Sequence, residues 1–272
     1  MTRIAVIGGG RIGEALIAGL LEAGRPQKDL VVVEAQSERA GQLAERFGVR
    51  VTDSVTDAAI GADLVVIAVK PADVDSVMTA LGKAELGEDR DQVLVSLAAG
   101  VPTTRLEGKL PAGFPVVRVM PNTPMLVGQG MSVIAPGRYA RAPQLELVTD
   151  LLATVGKVVT VAESQMDAVT AVSGSGPAYF FLIVEAMVDA GVVLGLSREV
   201  ATSLVLQTMI GSAALLEGSD QSAVELRAAV TSPAGTTAAA VRELERAGVR
   251  SMFMEALDAA KRRSVEQGAS SE

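Results

Sequence analysis

The sequence predicts an α/β fold in two parts, a mostly parallel sheet flanked by helices and then an all-helical C-terminal half. Three observations predict it. Short apolar runs alternate with helical patterns over the first 160 residues. A glycine fingerprint, Gly8, Gly10 and Gly13 in the spacing G-x-G-x-x-G, directly follows the first run. From Glu163 onward the periodicity is helical and no convincing strand remains. Strands that alternate with helices imply βαβ units and right-handed connections.

The elements follow in order. Ile4–Ile7 is rich in β-branched residues and reads as a buried strand. Glu14–Leu21 reads as a helix. Leu30–Val33, Arg50–Val51, Leu64–Val69, Val93–Ser96, Val116–Val119, Met131–Ile134 and Val158–Val161 supply further strands. Ser37–Phe47, Pro71–Leu81 and Pro143–Thr154 carry helical patterns between them. The C-terminal helices are expected at Ser164–Val172, Pro177–Leu194, Arg198–Glu217, Ser222–Val230, Thr237–Ala247 and Val249–Gln267, with the last five residues disordered. The expected domain limits are 1–162 and 163–272.

Composition excludes several chemistries. The chain has 272 residues, 49% hydrophobic, with a net charge of −8 and neither Cys nor His. An acidic chain is poorly suited to neutralising nucleic-acid phosphates. Without Cys there is no disulfide, thiolate nucleophile or Cys-ligated metal, and without His the commonest general base and metal ligand are missing. No metal site is expected. No signal-peptide pattern precedes the first strand. The longest apolar stretch, Tyr179–Leu196, is broken by Glu185 and Asp189. Charge at mid-span is costly in lipid, so the expectation is a cytoplasmic protein without a membrane span.

The helix at Pro177–Leu194 is apolar or small at nearly every position. A helix apolar all round must be buried all round, which one helical half cannot readily achieve alone. A partner subunit is therefore expected to cover it.

Several segments carry candidate chemistry. In the fingerprint, Gly8 allows a tight turn, Gly10 lets backbone approach a pyrophosphate, and Gly13 lets helix and strand pack closely. The pyrophosphate would rest on free N–H groups at a helix N-terminus. Glu34 ends the second strand, where a carboxylate accepts ribose hydroxyls and favours NAD. Ser37 and Arg39 lie close enough to serve a 2′-phosphate, so the cofactor stays open between NADH and NADPH. Ala68-Val69-Lys70-Pro71 closes the fourth strand, at the sheet edge where ligands bind. Asn122 sits in the stiff loop Met120–Pro124. Ser175 or Gly176 is placed to cap the apolar helix and offer free amides. Thr231–Thr237 combines a turn, hydroxyls and a helix start, able to cradle a carboxylate.

Together these segments resemble the pyrroline-5-carboxylate reductases over nearly the whole chain. The carriers are GGGRIG at 8–13, AVKP at 68–71, MPNTP at 120–124, AVSGSGPAYFF at 171–181 and VTSPAGTT at 230–237. The resemblance implies a Rossmann-type N-terminal domain and a C-terminal helical domain that interlocks with a twofold mate, with decamers known in the family. It implies reduction of the cyclic imine 1-pyrroline-5-carboxylate to L-proline by NADPH or NADH. It assigns Gly8, Gly9, Gly10, Arg11 and Ile12 to the pyrophosphate, with Gly13 completing the cofactor-binding loop. Glu34, Ala68, Val69, Lys70, Pro71, Leu97, Ala98, Ala99 and Asn122 line the cofactor side. Ser175, Gly176, Val230, Gly235, Thr236 and Thr237 are assigned to the substrate. The Gly235 and Thr236 amides hold its carboxylate, and the Thr237 hydroxyl lies near the ring nitrogen. The chain departs from the family in three places: Ala234 replaces a common Gly, Arg11 a commoner Asn, and Glu34 fits poorly with strict NADPH use.

Two other readings compete with this one. The β-hydroxyacid dehydrogenases share the layout but rely on a Lys in the helical domain, and Lys is absent from 158 to 260. A cofactor-sensing protein without turnover would not need the loop at 231–237.

Overall fold

The computed structural model describes residues 2–84 and 92–269. Backbone contacts divide the chain into two units. The first gathers residues up to Ser175 with those from Ala260 on; the second is Gly176–Ala259.

The first unit holds an eight-stranded sheet: β1 Ile4–Ile7, β2 Leu30–Val33, β3 Arg50–Thr52, β4 Leu64–Ile67, β5 Val93–Ser96, β6 Val116–Met120, β7 Gly130–Pro136 and β8 Gly156–Thr160. The spatial order is β3-β2-β1-β4-β5-β6-β7-β8. Its helices are α1 Arg11–Glu22, α2 Ser37–Phe47, α3 Val55–Ala59, α4 Val74–Leu81, α5 Thr103–Glu107, α6 Ala142–Ala153 and α7 Met166–Val169. The next helices are α8 Gly176–Val193, α9 Arg198–Glu217, α10 Ala223–Ala229 and α11 Thr236–Arg246 in the second unit, then α12 Val249–Ala269, whose last turns belong to the first.

Strands β1, β2, β4 and β5 are buried on both faces, and alternate residues feed two cores. Ile4, Val6, Leu30, Val32, Leu64 and Val66 pack with Leu16, Leu20 and Leu43 of α1 and α2, and with Leu151 and Leu152 of α6. Ala5, Ile7, Val31, Val33, Val65 and Ile67 pack with Ala58 of α3, Val74 and Met78 of α4, and Leu106 of α5. Burial on both faces explains why these strands are continuous apolar runs. Each fully buried branched side chain contributes about 1.5–3 kcal/mol.

The sheet is parallel except for β6 with β7. Their link, 121–129, is too short for a crossover helix, so the chain turns back. Several expected boundaries moved. The strand expected to end at Val69 ends at Ile67, and Met131–Ile134 lengthens to Gly130–Pro136. The short helices α3 and α5 and the 3₁₀ turn Thr123–Val127 were not anticipated. The expected disorder from Gly268 is corrected: α12 continues to Ala269, and residues 270–272 lie outside the described residues. The Ser264 hydroxyl donates to the Asp167 carboxylate at 2.7 Å, and Gly268 packs on the Gly100 carbonyl, which holds the last turns in place.

In the second unit α8 and α9 pack at Gly191 and Ala201, where small side chains allow close approach. Asp189 pairs with Arg198 at 2.9 Å across the bend between these helices. Only Gly176 and Val188 of α8 are buried within the chain. Phe180, Phe181, Leu182 and Val193 are exposed, Val193 at 86%. Among the described residues, α8 is thus not enclosed by its own chain. By length and composition alone, two helical stretches, Glu163–Val193 and Arg198–Glu217, could cross a membrane.

Candidate functional site

The order of strands reverses direction between β1 and β4, and Gly8 and Ala68 leave their carboxyl ends side by side. The Gly8 amide donates to Val33 and the Ala68 amide to Ile7, fixing the crevice at this switch point. Gly8 adopts φ +110°, and a Cβ there would meet the Ala68 carbonyl oxygen at 2.8 Å. A Cβ on Gly13 would lie 2.1 Å from the Gly8 oxygen, so helix and loop pack without room for a methyl. Around Gly10 there is open space instead. Gly10 is the N-cap of α1, no side chain caps it, and the first intrahelical bond runs from Glu14 to Gly10. The Arg11, Ile12 and Gly13 amides thus have no acceptor within the helix. This open, positive helix end fits a pyrophosphate.

A cleft of about 490 Å³ opens here, lined by Gly8, Gly10, Glu34, Ala68, Val69 and Lys70 among others. Leu97 and Ala98 are buried at the end of β5, while Ala99, Pro71 and Arg11 are exposed. The cleft also carries Asp53 and Asp73, which sequence reasoning missed. Asp53 follows β3 as Glu34 follows β2, and that strand-end position was the available signal.

Glu34 is held on both oxygens: Oε2 accepts the Gly9 amide at 3.1 Å and Oε1 the Gln36 amide at 2.9 Å. Arg39 turns away from this role. Its Nε donates to the Gly9 carbonyl at 3.0 Å and its guanidinium pairs with Glu14, which also binds Arg46.

Asn122 does not line this cleft. Its Oδ1 accepts the Met131 amide at 2.8 Å, and its Nδ2 donates to the Ser173 carbonyl at 3.1 Å. It ties the 121–129 loop to the π-helical turn Thr170–Gly174.

The expected N-cap at Ser175 or Gly176 is corrected. The chain stays wound through Thr170–Gly174, and the Ser175 amide donates to Thr170 at 2.8 Å. The wider π turn consumes an amide that an ordinary helix start would leave open.

In the second unit, Thr231–Thr237 forms a turn before α11. The Gly235 amide donates to the Ser232 carbonyl at 3.0 Å, and Gly235 is an N-cap with no side-chain partner. The expectation that the Gly235 amide is open to a carboxylate is thus corrected: the tight turn takes it. The open first-turn amides are those of Thr236, Thr237 and Ala238, ahead of the Ala239 bond to Gly235. Ala234 sits at φ +59° inside the turn. Val230 is exposed, and Thr237 and Tyr179 are half-buried. No group of three or more potential metal ligands occurs among the described residues.

A family model described as pyrroline-5-carboxylate reductase dimerisation matches residues 163–267, and one described as NADP oxidoreductase coenzyme F420-dependent matches 3–100. A pyrroline-5-carboxylate reductase of Mycobacterium leprae is 57% identical over 100% of this chain and 99% of its own length. The structure of a pyrroline-5-carboxylate reductase from Coxiella burnetii superposes with a TM-score of 0.93 at 36% identity, covering 98% of each chain. A Plasmodium falciparum pyrroline carboxylate reductase solved with NADP bound gives 0.86 at 31% identity, also over 98% of each chain.

Proposed function

Because the chain belongs to the pyrroline-5-carboxylate reductase family, we propose that it reduces 1-pyrroline-5-carboxylate to L-proline with NAD(P)H, the last step of proline biosynthesis. The observation that carries the chemistry is the uncapped, glycine-lined start of α1 at the β1–β4 switch point. Family membership supplies the substrate.

The reaction adds a hydride to the ring carbon of a C=N bond and a proton to its nitrogen. NAD(P)H supplies the hydride when bound. The residues of this chain bind and orient. The Arg11, Ile12 and Gly13 amides hold the pyrophosphate, with Gly8, Gly9 and Gly10 giving the approach. Ala68, Val69, Lys70, Pro71, Leu97, Ala98 and Ala99 form the remaining cofactor wall. On α11, the Thr236 and Thr237 amides and the helix dipole favour a carboxylate. The Thr237 hydroxyl is assigned to the ring nitrogen, and Ser175, Gly176 and Val230 to the substrate surroundings. A chain without His or Cys suits this chemistry, since a protonated imine needs orientation more than a strong base.

The chain self-associates through residues 163–267, the region of the dimerisation model. The finer reading is a homodimer through the second unit, extensible to a decamer, with the exposed faces of α8 and α9 covered by the mate rather than by lipid. The domain limits 1–162 and 163–272 and a cytoplasmic location belong to the same proposal.

The test is oxidation of NADH or NADPH on adding 1-pyrroline-5-carboxylate, with L-proline formed in step. No turnover with either, despite tight dinucleotide binding, would refute it. In the same assay Thr237→Ala should lower kcat/KM about tenfold, the worth of one hydrogen bond to a charged group, and leave dinucleotide affinity within about twofold. Equal loss of both would remove Thr237 from the substrate side.

A further inference from the structure

We infer that this chain discriminates against the adenosine 2′-phosphate, so that NADH is its preferred reductant and Glu34 is the residue that sets the preference. The inference rests on the NAD(P)H reading above and deepens it.

Three features converge. Glu34 lines both the main cleft and an adjoining hollow with Ala35, Ser37 and Asp53. The Gly9 and Gln36 amides each take one acceptor site on its two oxygens, which holds the carboxylate in one orientation. Each oxygen keeps acceptor capacity for a ribose hydroxyl. A ribose diol donates to such a carboxylate, whereas a phosphate ester adds charge of the same sign.

The cation that the sequence offers for a 2′-phosphate, Arg39, is already committed. A 2′-phosphate site gains most of its affinity from an Arg or Lys aimed at it, and a hydroxyl such as that of Ser37 supplies no charge. Arg39 instead spends its guanidinium on Gly9, Gln42 and Glu14. Recruiting it would break those bonds and leave Glu14 with Arg46 alone.

The rest of the cleft adds to the repulsion. Among the described residues its ionisable lining is Glu34, Asp53 and Asp73 against Lys70. Two like charges a few ångströms apart at a protein surface repel strongly enough to shift affinity by about tenfold or more.

The test is equilibrium binding of NADH and NADPH to the full chain, followed by dinucleotide fluorescence without substrate. The expected result is at least tenfold tighter NADH. Raising ionic strength should narrow the gap, because salt screens the 2′-phosphate from the carboxylates. Glu34→Gln keeps the size and an acceptor while removing charge, and should shift the NADH-to-NADPH affinity ratio several-fold toward NADPH. Asp53→Asn, outside the Gly9 contact, should shift it the same way by less, and it serves if Glu34→Gln does not fold. Equal or tighter NADPH binding by the unmodified chain would overturn the inference and leave the reductase reading intact. So would an unchanged ratio in a folded Glu34→Gln. Failure to bind either dinucleotide would overturn both.

Discussion

Ala234 shows how one residue can store strain in a binding loop. It occupies the left-handed region at φ +59°, inside the turn closed by Gly235 on Ser232. That conformation costs an L-residue about 1–2 kcal/mol, and glycine adopts it freely. Ala234→Gly should therefore stabilise the folded chain by about 0.5–1 kcal/mol, after the greater freedom of glycine in the unfolded state is set against it. Denaturant unfolding measures this, and a loss of stability would show that the turn is not strained. At this scale the fingerprint was fully legible, since Gly8 and Gly13 stand where no Cβ fits. Glu34 was legible as a strand-end carboxylate. The disposition of Arg39 was not, because its partners Gly9 and Glu14 lie well away in sequence and meet it only when α1 and α2 pack.

Among elements, the loop 121–129 and the π turn Thr170–Gly174 depend on each other through Asn122. The sequence pointed to Asn122 as a chemical residue, and the fold gives it two backbone partners. Asn122→Ala should cost about 1–3 kcal/mol, because it leaves the Met131 amide and the Ser173 carbonyl without their partner. Asn122→Asp keeps the acceptor for Met131 and should cost less. Equal stability of all three chains, by thermal or denaturant unfolding, would refute the clamp. The long helices were legible because a period of 3.6 needs several residues to show, and the buried strands because they are continuous apolar runs. Helices α3 and α5 each span barely more than one turn, too short for a period, and were missed. The π turn was missed because Ser173-Gly-Ser-Gly-Pro177 carries every local mark of a helix start.

For the whole molecule, the decisive feature is apolar surface without cover. Phe181 is 65% exposed and Leu182 64%, on a helix with only two buried residues. Contiguous apolar surface of this kind marks an interface. Light scattering should give a mass at least twice that of the chain at micromolar concentration. Phe181→Glu should shift the mass toward the single chain, because it places a charge in a desolvated interface. A monomeric mass for the unmodified protein would refute the assembly.

The sequence by itself determined the order of strands and helices, the glycine loop, the exclusion of His and Cys chemistry, and the need to cover an apolar helix. These are local or compositional properties, written in spacing and residue type. Only the tertiary structure decided which amides stay open, where Arg39 and Asn122 spend their donors, and that Asp53 and Asp73 join Glu34 at one cleft. Those outcomes depend on residues brought together across the parallel sheet, where neighbours in space are distant in sequence.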